Sequence, residues 1–305
     1  MTTRCYQVSH RTVYRYSADV TSSYGRGFLT PRDSALQRCL SHELLIDPEP
    51  ADRSTSRDAY GNVSSYFHVT QRHRTLSVTS NSVVEVDAPP AELYDAGSAR
   101  APWEIARPVG LDGALAIEFT LDLQPPEITD ELRDYAAPSF EPGRPLIEVL
   151  QDLSSRIYSD FTYRSGSTTV STQVSEVLVA GEGVCQDFAR LAIACLRANG
   201  LAASYVSGYL ATDPPPGRNR MIGIDATHAW ASVWTPQDQW LGVDPTNAQM
   251  VDERYIVVGF GRDYADVPPL RGIIYTDSDS SVIDVEVDVV PYDGKLDTQD
   301  GALRA

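Results

Sequence analysis

Cysteine is scarce in this sequence, with four residues in a chain of 305. That is too few for a disulfide-stabilised scaffold of this length, so we expect free thiols. Long apolar runs are also missing. No segment approaches the roughly 20 apolar residues of a membrane-spanning helix, and the N-terminus lacks the apolar stretch of a signal peptide. These absences predict a cytoplasmic protein that does not insert into a membrane.

Basic residues are outnumbered and do not cluster. The chain has 25 Lys and Arg against 42 Asp and Glu, which gives a formal net charge of −17 and a pI near 4.6. This charge would repel a nucleic acid or an anionic membrane surface, so neither is an expected partner. We interpret the acidity mainly as a source of solubility, with attraction of a cationic substrate as the alternative.

Two regions with different hydrophobic periodicity divide the chain. Residues 1–90 contain β-rich segments separated by turns, which is typical of an antiparallel β-sandwich. Residues 91–125 are polar and contain several prolines, so they are predicted to form a linker. Residues 126–305 begin with helical periodicity and continue with strand-like segments. The predicted fold class is therefore α+β.

The clearest helix is predicted over residues 184–199, where apolar residues recur every three or four positions and Gly200 supplies a stop. Cys185 lies in its first turn, directly after a Gly-Glu-Gly segment. A helix N-terminus carries unpaired N–H groups and a partial positive charge, which favour the thiolate form of a nearby cysteine. Cys185 is therefore the candidate nucleophile.

A buried structural thiol is the alternative for any single cysteine. Cys195 illustrates that alternative, because it falls on the apolar stripe of the same predicted helix. Ten residues of helix correspond to about 15 Å of rise, so Cys195 cannot form a disulfide with Cys185. The function of Cys185 thus depends on the partners that the fold brings to it.

His228 and Asp244 are the candidate partners. His228 opens one predicted strand and Asp244 closes the next, with only a turn around Pro236 between them. If the strands form a hairpin, their even-numbered side chains share a face, and the imidazole would touch the carboxylate. A lone histidine is more often an ordinary hydrogen-bonded residue. Cysteine at a helix start, with histidine and a carboxylate on adjoining strands, is instead typical of thiol enzymes.

Four blocks of sequence around these residues resemble the bacterial transglutaminase-like superfamily. They are GVCQDFA at 183–189, ASYVSGY at 203–209, THAWA at 227–231 and DPTN at 244–247. The segment 261–272 resembles a block of one bacterial branch, in which a β-rich N-terminal region precedes the core. The resemblance implies a papain-like α+β core with a catalytic triad of Cys185, His228 and Asp244.

The resemblance covers nearly the whole chain, with two departures. Arg190 and Thr227 stand where relatives often carry His and Ser. Neither change touches the three triad positions, but local contacts with a substrate are expected to differ.

These residue types predict acyl transfer through a thioester. The Cys185 thiolate would attack a carboxamide or peptide carbonyl, His228 would protonate the leaving amine, and an amine or water would then release the acyl group. Asp244 would hold the imidazole in its productive tautomer. The expected partner is a protein or peptide substrate, with an amine as a second one, and the choice between amine and water stays open.

Other residues are candidates for the surrounding cleft. The backbone N–H of Cys185 is one expected oxyanion donor, and Tyr163 is the candidate for the second, with packing under the helix as its alternative. Trp230 and Tyr264 are candidates for lining the substrate cleft. Arg262 and Asp263 are expected to pair and brace its wall, with contact of Tyr264 and Arg271 with the substrate as the alternative.

No cofactor or metal is predicted. Thiol acyl transfer requires neither, and the acidic turn near Asp277 lacks the glycine and closing glutamate of a calcium loop. The competing hypothesis is a binding or scaffold protein whose triad is a relic. An intact triad favours the enzyme.

Overall fold

The computed structural model describes residues 2–110, 113–123, 125–212, 227–277 and 279–294. The prediction of an α+β fold is confirmed: one large curled antiparallel sheet packs against a second unit made of helices and a smaller sheet. No helix among the described residues is both long and apolar enough to cross a membrane.

The large sheet is organised around β1, a strand of 25 residues, Thr3–Gly27. One side of β1 pairs with β5 and then with β4, and the outer strands β2 and β3 extend the sheet beyond them. The pairing register shifts between Arg15 and Val20, and such an irregularity bends a strand and lets the sheet curl around its own core. The other strands of this side are β2 Gln37–Asp47, β3 Asp52–Arg57, β4 Val63–Val69 and β5 His73–Asp87.

The last two strands of the protein return to this sheet. β13 (Arg271–Thr276) and β14 (Ser281–Pro291) both pair antiparallel with β1. Val287 and Val289 of β14 are buried in the main core. The predicted division, with residues 126–305 as one catalytic region, therefore differs from the structure at its C-terminal end. The strands β13 and β14 occupy the side of β1 that β4 and β5 leave open.

The described residues of the predicted linker, 91–125, pack against the core, to which Ala99, Trp103 and Ala106 belong. They contain the short helices α1 (Ala91–Asp95) and α2 (Gly97–Arg100) and two 3₁₀ turns. Trp103 and Phe119 are buried, and the Trp103 indole donates to the Glu141 carbonyl at 3.0 Å. Trp103 meets Phe140 edge-on and Phe119 meets Trp240 edge-on, with ring centroids 5.2 Å apart in both pairs, so these side chains tie the segment to the rest of the core.

The helices α3 to α6 lie between this segment and the second sheet. The apolar stripe of α4 is buried, and so is most of α6. At the start of α6, the Asp187 carboxylate accepts from the Val184 N–H at 2.9 Å, which satisfies one of the free donors of the first turn. The helices are α3 Asp130–Ala136, α4 Leu146–Asp160, α5 Val174–Ala180 and α6 Cys185–Ala198.

The second sheet is antiparallel, with strand order β11-β10-β9-β8-β12. The helix α6 packs most extensively against β9, and also against α3, α5 and β8. A two-stranded parallel pair, β6 (Thr162–Tyr163) with β7 (Glu182–Gly183), leads into α6. The five strands are β8 Ala203–Leu210, β9 Thr227–Thr235, β10 Gln239–Asp244, β11 Gln249–Met250 and β12 Tyr255–Gly261.

Candidate active site

Cys185 is the first residue of α6 and is half-buried. The turn before it depends on Gly183, where an added Cβ would lie 2.9 Å from the Cβ of Asp187. Glycine therefore allows the Asp187 carboxylate to fold back and cap the helix beside the thiol. In this position the Cys185 N–H has no acceptor within its own helix and is free to bind a developing negative charge.

His228 lies beside the thiol, near the start of β9. Its Nε2 is 2.7 Å from Asp244 Oδ2, and the ring lies close enough to the Cys185 side chain for that side chain to affect the pKa of His228. Because Nε2 is engaged by the carboxylate, Nδ1 is the ring nitrogen left for the thiol. The Cys185 Sγ also lies 4.0 Å from the Thr227 carbonyl oxygen. The structure thus brings together all three residues of the predicted triad.

The hairpin of β9 and β10 explains the contact between His228 and Asp244. Val243 pairs with Ala231, so Asp244 lies next to position 230 and two residues along the sheet from His228. The side chains at 228, 230 and 244 share a face because residues alternate sides along a strand. A diagonal pair at this spacing is within reach of an imidazole.

Asp244 is completely buried, with 0% exposure. Its Oδ1 accepts from the Thr246 N–H at 2.8 Å. Its Oδ2 accepts from the Asn247 side chain and the Tyr255 hydroxyl, each at 2.7 Å, as well as from His228. Four donors thus compensate for the loss of water around this carboxylate.

The electrostatics of the pair favour a charged imidazole. Burial disfavours the imidazolium, but hydrogen bonds and charge from Asp244 and Cys185 outweigh it and raise the pKa of His228 to about 10. Burial likewise acts to raise the pKa of Asp244, yet donation by His228, Asn247 and Tyr255 leaves that pKa below its ordinary value. At neutral pH the carboxylate is ionised, and a protonated His228 can stabilise a thiolate at Cys185.

Tyr163, the candidate for the second oxyanion donor, lies near Cys185. It pairs with Gly183 in the short parallel ladder, and its side chain is 52% exposed. Burial of the remainder and the charge of the nearby Cys185 raise the pKa of its hydroxyl, which therefore keeps its proton at neutral pH. The ring also meets Phe188 edge-on, with centroids 6.3 Å apart.

The structure separates the two candidates for lining the cleft. Trp230 is only 2% exposed and packs edge-on against Tyr255, with ring centroids 5.2 Å apart. Its indole therefore lies behind His228 and does not line an open cleft, contrary to the prediction. Tyr264 is half-buried and meets Tyr205 edge-on at 6.2 Å.

Arg190 replaces the partner that was predicted for Asp263. Its guanidinium pairs with Glu127 at 2.7 Å and lies 2.9 Å from Asp263, although the second contact lacks hydrogen-bond alignment. It also donates to the Thr172 carbonyl at 2.6 Å. Arg262 instead donates to the Asp122 carbonyl at 2.9 Å. The segment next to Tyr264 is thus held by Arg190, which lies in the middle of α6, and not by an Arg262–Asp263 pair.

Sequence reasoning missed Asn247 and Tyr255, the two side chains that share Asp244 Oδ2 with His228. Asn247 belongs to the Asp-Pro-Thr-Asn block, so its nearness to Asp244 could have been found. Tyr255 follows a loop, and no periodicity connects it to the carboxylate.

Within the described part of the chain, no three His, Cys, Asp or Glu residues are grouped so that they could hold an ion.

Comparison with protein families matches two parts of the chain. Residues 6–85 match the family described as the bacterial transglutaminase-like N-terminal region. Residues 133–245 match the transglutaminase-like superfamily, and this span includes Cys185, His228 and Asp244.

Individual relatives agree with this assignment. An uncharacterized protein of Mycobacterium tuberculosis is 75% identical over 296 residues, which cover 96% of this chain and 94% of that protein. The protein-glutamine gamma-glutamyltransferase of Pseudomonas aeruginosa is 30% identical over 154 residues, which cover 47% of this chain and 22% of that enzyme.

A solved structure shares the fold across both regions. It is that of a proposed cysteine protease from Cytophaga hutchinsonii, with a TM-score of 0.75, 19% identity and coverage of 97% of this chain and 93% of that one. The likeness extends over the N-terminal β region as well as the core. The chain therefore belongs to the transglutaminase-like superfamily of papain-like cysteine enzymes, in the bacterial branch that carries an N-terminal β region.

Proposed function

We propose that the protein is a thiol acyltransferase that acts on glutamine carboxamides or peptide bonds, with Cys185 as the nucleophile. The observation that carries the proposal is the position of His228. Its Nε2 lies 2.7 Å from Asp244 Oδ2, which leaves Nδ1 available for the nearby Cys185 thiol. A nucleophile, a base and an orienting carboxylate in this order are the parts that acyl transfer requires.

The first half of the reaction forms a thioester. The Cys185 thiolate attacks the carbonyl carbon, and a C–S bond forms as the carbonyl electrons move to oxygen. When the oxyanion collapses, the C–N bond breaks and the His228 imidazolium gives its proton to the leaving nitrogen. Ammonia leaves from a carboxamide, and an amine leaves from a peptide bond.

The second half releases the acyl group. Water or a primary amine attacks the thioester carbon and gives a proton to the neutral His228. The C–S bond then breaks, which restores the Cys185 thiolate beside an imidazolium. Because the first product leaves before the acceptor enters, the kinetics are ping-pong for either acceptor.

Two donors are proposed for the oxyanion. One is the Cys185 N–H at the start of α6, where the helix leaves its first amides without internal acceptors. The other is the Tyr163 hydroxyl, since Tyr163 pairs with Gly183 just before the nucleophile. Removal of one such donor from an oxyanion site commonly costs about 10²–10³ in turnover.

We propose that both acceptors react, with hydrolysis dominant unless a good amine is supplied. The name of the Pseudomonas aeruginosa relative supports glutamine as the acyl donor. A net charge of −17 would raise the local concentration of a cationic amine such as a lysine side chain.

The test uses a glutamine-containing peptide with and without a fluorescent primary amine. Ammonia release, peptide cleavage and fluorophore incorporation are measured for the wild type, Cys185→Ala and Cys39→Ala. All signals should vanish in Cys185→Ala and persist in Cys39→Ala, which removes a half-buried thiol of β2. Turnover that survives in Cys185→Ala would contradict the proposal. Cysteine-dependent hydrolysis with no incorporation at any amine concentration would refute the transfer step alone.

A further inference from the structure

We infer that Tyr255 is a positioning residue for this reaction, because its hydroxyl fixes Asp244 and, through it, the catalytic imidazole. The inference rests on the function proposed above. It assigns a role to a residue outside the triad and outside the sequence blocks that carry the family resemblance.

The first observation is a shared acceptor. The Tyr255 hydroxyl lies 2.7 Å from Asp244 Oδ2, the same oxygen that His228 Nε2 contacts at 2.7 Å. Both Tyr255 and Asp244 are buried, so water does not compete for these bonds. The direction in which His228 Nε2–H points therefore depends on how Tyr255 holds that oxygen.

The second observation fixes the direction of the Tyr255 proton. The Gln249 side-chain amide donates to the Tyr255 hydroxyl oxygen, and its carbonyl oxygen accepts from Arg254 at 3.1 Å. Arg254 cannot accept a hydrogen bond, so the amide of Gln249 can have only this orientation. Since the Tyr255 oxygen accepts a hydrogen bond from Gln249, its own O–H donates to Asp244 Oδ2.

Arg254, at the outer end of this series of hydrogen-bonded side chains, is also held in place. Asp252 pairs with Arg254 through both carboxylate oxygens, at distances from 2.7 to 3.0 Å. A continuous series of hydrogen bonds thus runs from a partly exposed ion pair to the His228 imidazole. Burial, reinforced by the Asp244 charge, raises the pKa of Tyr255 well above its ordinary value, so the hydroxyl remains a donor.

The ring and the hydroxyl of Tyr255 have separable roles. The ring packs edge-on against Trp230 at 5.2 Å and lies 6.1 Å from the His228 ring. Phenylalanine keeps these contacts and removes only the hydroxyl. Tyr255→Phe therefore tests the hydrogen bond with little disturbance of packing.

Loss of the hydroxyl has a defined electrostatic sign. With one donor fewer, the charge on Asp244 Oδ2 is less compensated, so the carboxylate becomes a stronger base and stabilises the imidazolium more. The carboxylate is also less restrained in rotation. We expect the alkaline limb of the pH–rate profile to move up by about one pH unit and turnover to fall roughly tenfold to a hundredfold.

The experiment compares Tyr255→Phe with Tyr94→Phe. The Tyr94 hydroxyl donates to the Val251 carbonyl at 2.8 Å, so the control loses one hydrogen bond to the neighbouring loop without reaching Asp244. The readouts are the His228 titration by NMR and the pH dependence of kcat and KM. The NMR readout requires no turnover, so it tests Tyr255 even if acyl transfer is not the reaction.

The expected result is a higher His228 titration midpoint in Tyr255→Phe, with kcat lowered more than KM is raised, and neither change in Tyr94→Phe. An unchanged midpoint in Tyr255→Phe, or an equal shift in Tyr94→Phe, would overturn the inference. A shifted midpoint in a protein without acyl transfer would instead overturn the proposed function alone.

Discussion

Asn62 forms with Phe260 both hydrogen bonds that a neighbouring strand would form. Its side-chain NH₂ donates to the Phe260 carbonyl at 2.7 Å, and its side-chain oxygen accepts from the Phe260 N–H at 3.0 Å. Gln37 caps Val257 in the same way, at 2.7 Å for each bond. Both amides come from the N-terminal β region and close the outer edge of β12. The β region thus completes the sheet that carries His228.

Asn62→Ala is expected to destabilise the protein by about 2–4 kcal/mol, because two buried backbone groups of Phe260 lose their partners. Asn81→Ala is the matched control, since half-buried Asn81 accepts one bond from Ser9 at 2.9 Å, and its loss should cost about 1 kcal/mol or less. Urea unfolding measures both free energies. Equal small losses would show that the β region does not support this edge.

Val287→Ala and Val285→Ala test the return of the C-terminal strand to the β1 sheet. The two residues lie on one face of β14, but Val287 is 1% exposed and Val285 is 51% exposed. Val287→Ala should lower the free energy of unfolding by about 2 kcal/mol through lost burial and a small cavity. The change at Val285 should be within about 0.5 kcal/mol. Similar losses at both positions would contradict the buried packing of β14.

His10 should make stability depend on pH. It lies buried between Tyr209 and Thr12, with ring nitrogens 3.0 and 3.2 Å from their hydroxyls, and burial lowers its pKa to about 4. The unfolded chain takes up this proton near pH 6.5 and the folded protein does not. The contribution of His10 to the free energy of unfolding is therefore fully present above pH 6.5, and it falls by roughly 3 kcal/mol toward pH 4.

The measurement is the unfolding free energy at several pH values for the wild type, His10→Gln and His68→Gln. His10→Gln should lose this part of the slope between pH 4 and 6.5. His68→Gln, a change at a half-buried histidine of the same sheet, should keep it. An unaltered slope in His10→Gln would assign the acid sensitivity to other groups.

Asp244→Asn should leave the fold intact and lower turnover by roughly 10³–10⁴-fold. An amide can no longer accept at both oxygen positions, so the imidazole loses its orienting partner. Circular dichroism and thermal unfolding serve as the control for folding. Near-normal activity in a folded Asp244→Asn protein would remove Asp244 from the mechanism.

Local sequence signals were sufficient for the helix of Cys185 and the hairpin of His228 and Asp244. The signals that define these elements involve only residues close together in sequence. They are the glycines before Cys185, the apolar stripe of α6 and the short turn after β9. Within the hairpin, the alternation of side chains along each strand was enough to predict that His228 and Asp244 lie on the same face.

Contacts between distant segments could not be derived in this way. Strand periodicity predicts that residues 282–290 are extended, but it does not say that β14 pairs with β1 at the other end of the chain. Trp230 lies on the same face of β9 as His228, which the sequence predicts. Its burial, however, depends on the Tyr255 ring and on Gly208, where an added Cβ would lie 2.8 Å from the indole. Tyr255 itself reaches Asp244 only through the packing of β12.

The central claim is that His228 activates Cys185, and site-resolved alkylation tests it without knowledge of the substrate. The rate of iodoacetamide reaction at each of the four cysteines is measured by peptide mapping at pH 7 in the wild type and in His228→Ala. Burial raises the pKa of Cys5 and of Cys39, and raises that of Cys195 to about 12, so these thiols should react slowly. The account predicts that Cys185 reacts first and that His228→Ala slows it at least roughly tenfold. Faster labelling of Cys5 or Cys39, or a Cys185 rate that is unchanged in His228→Ala, would contradict it.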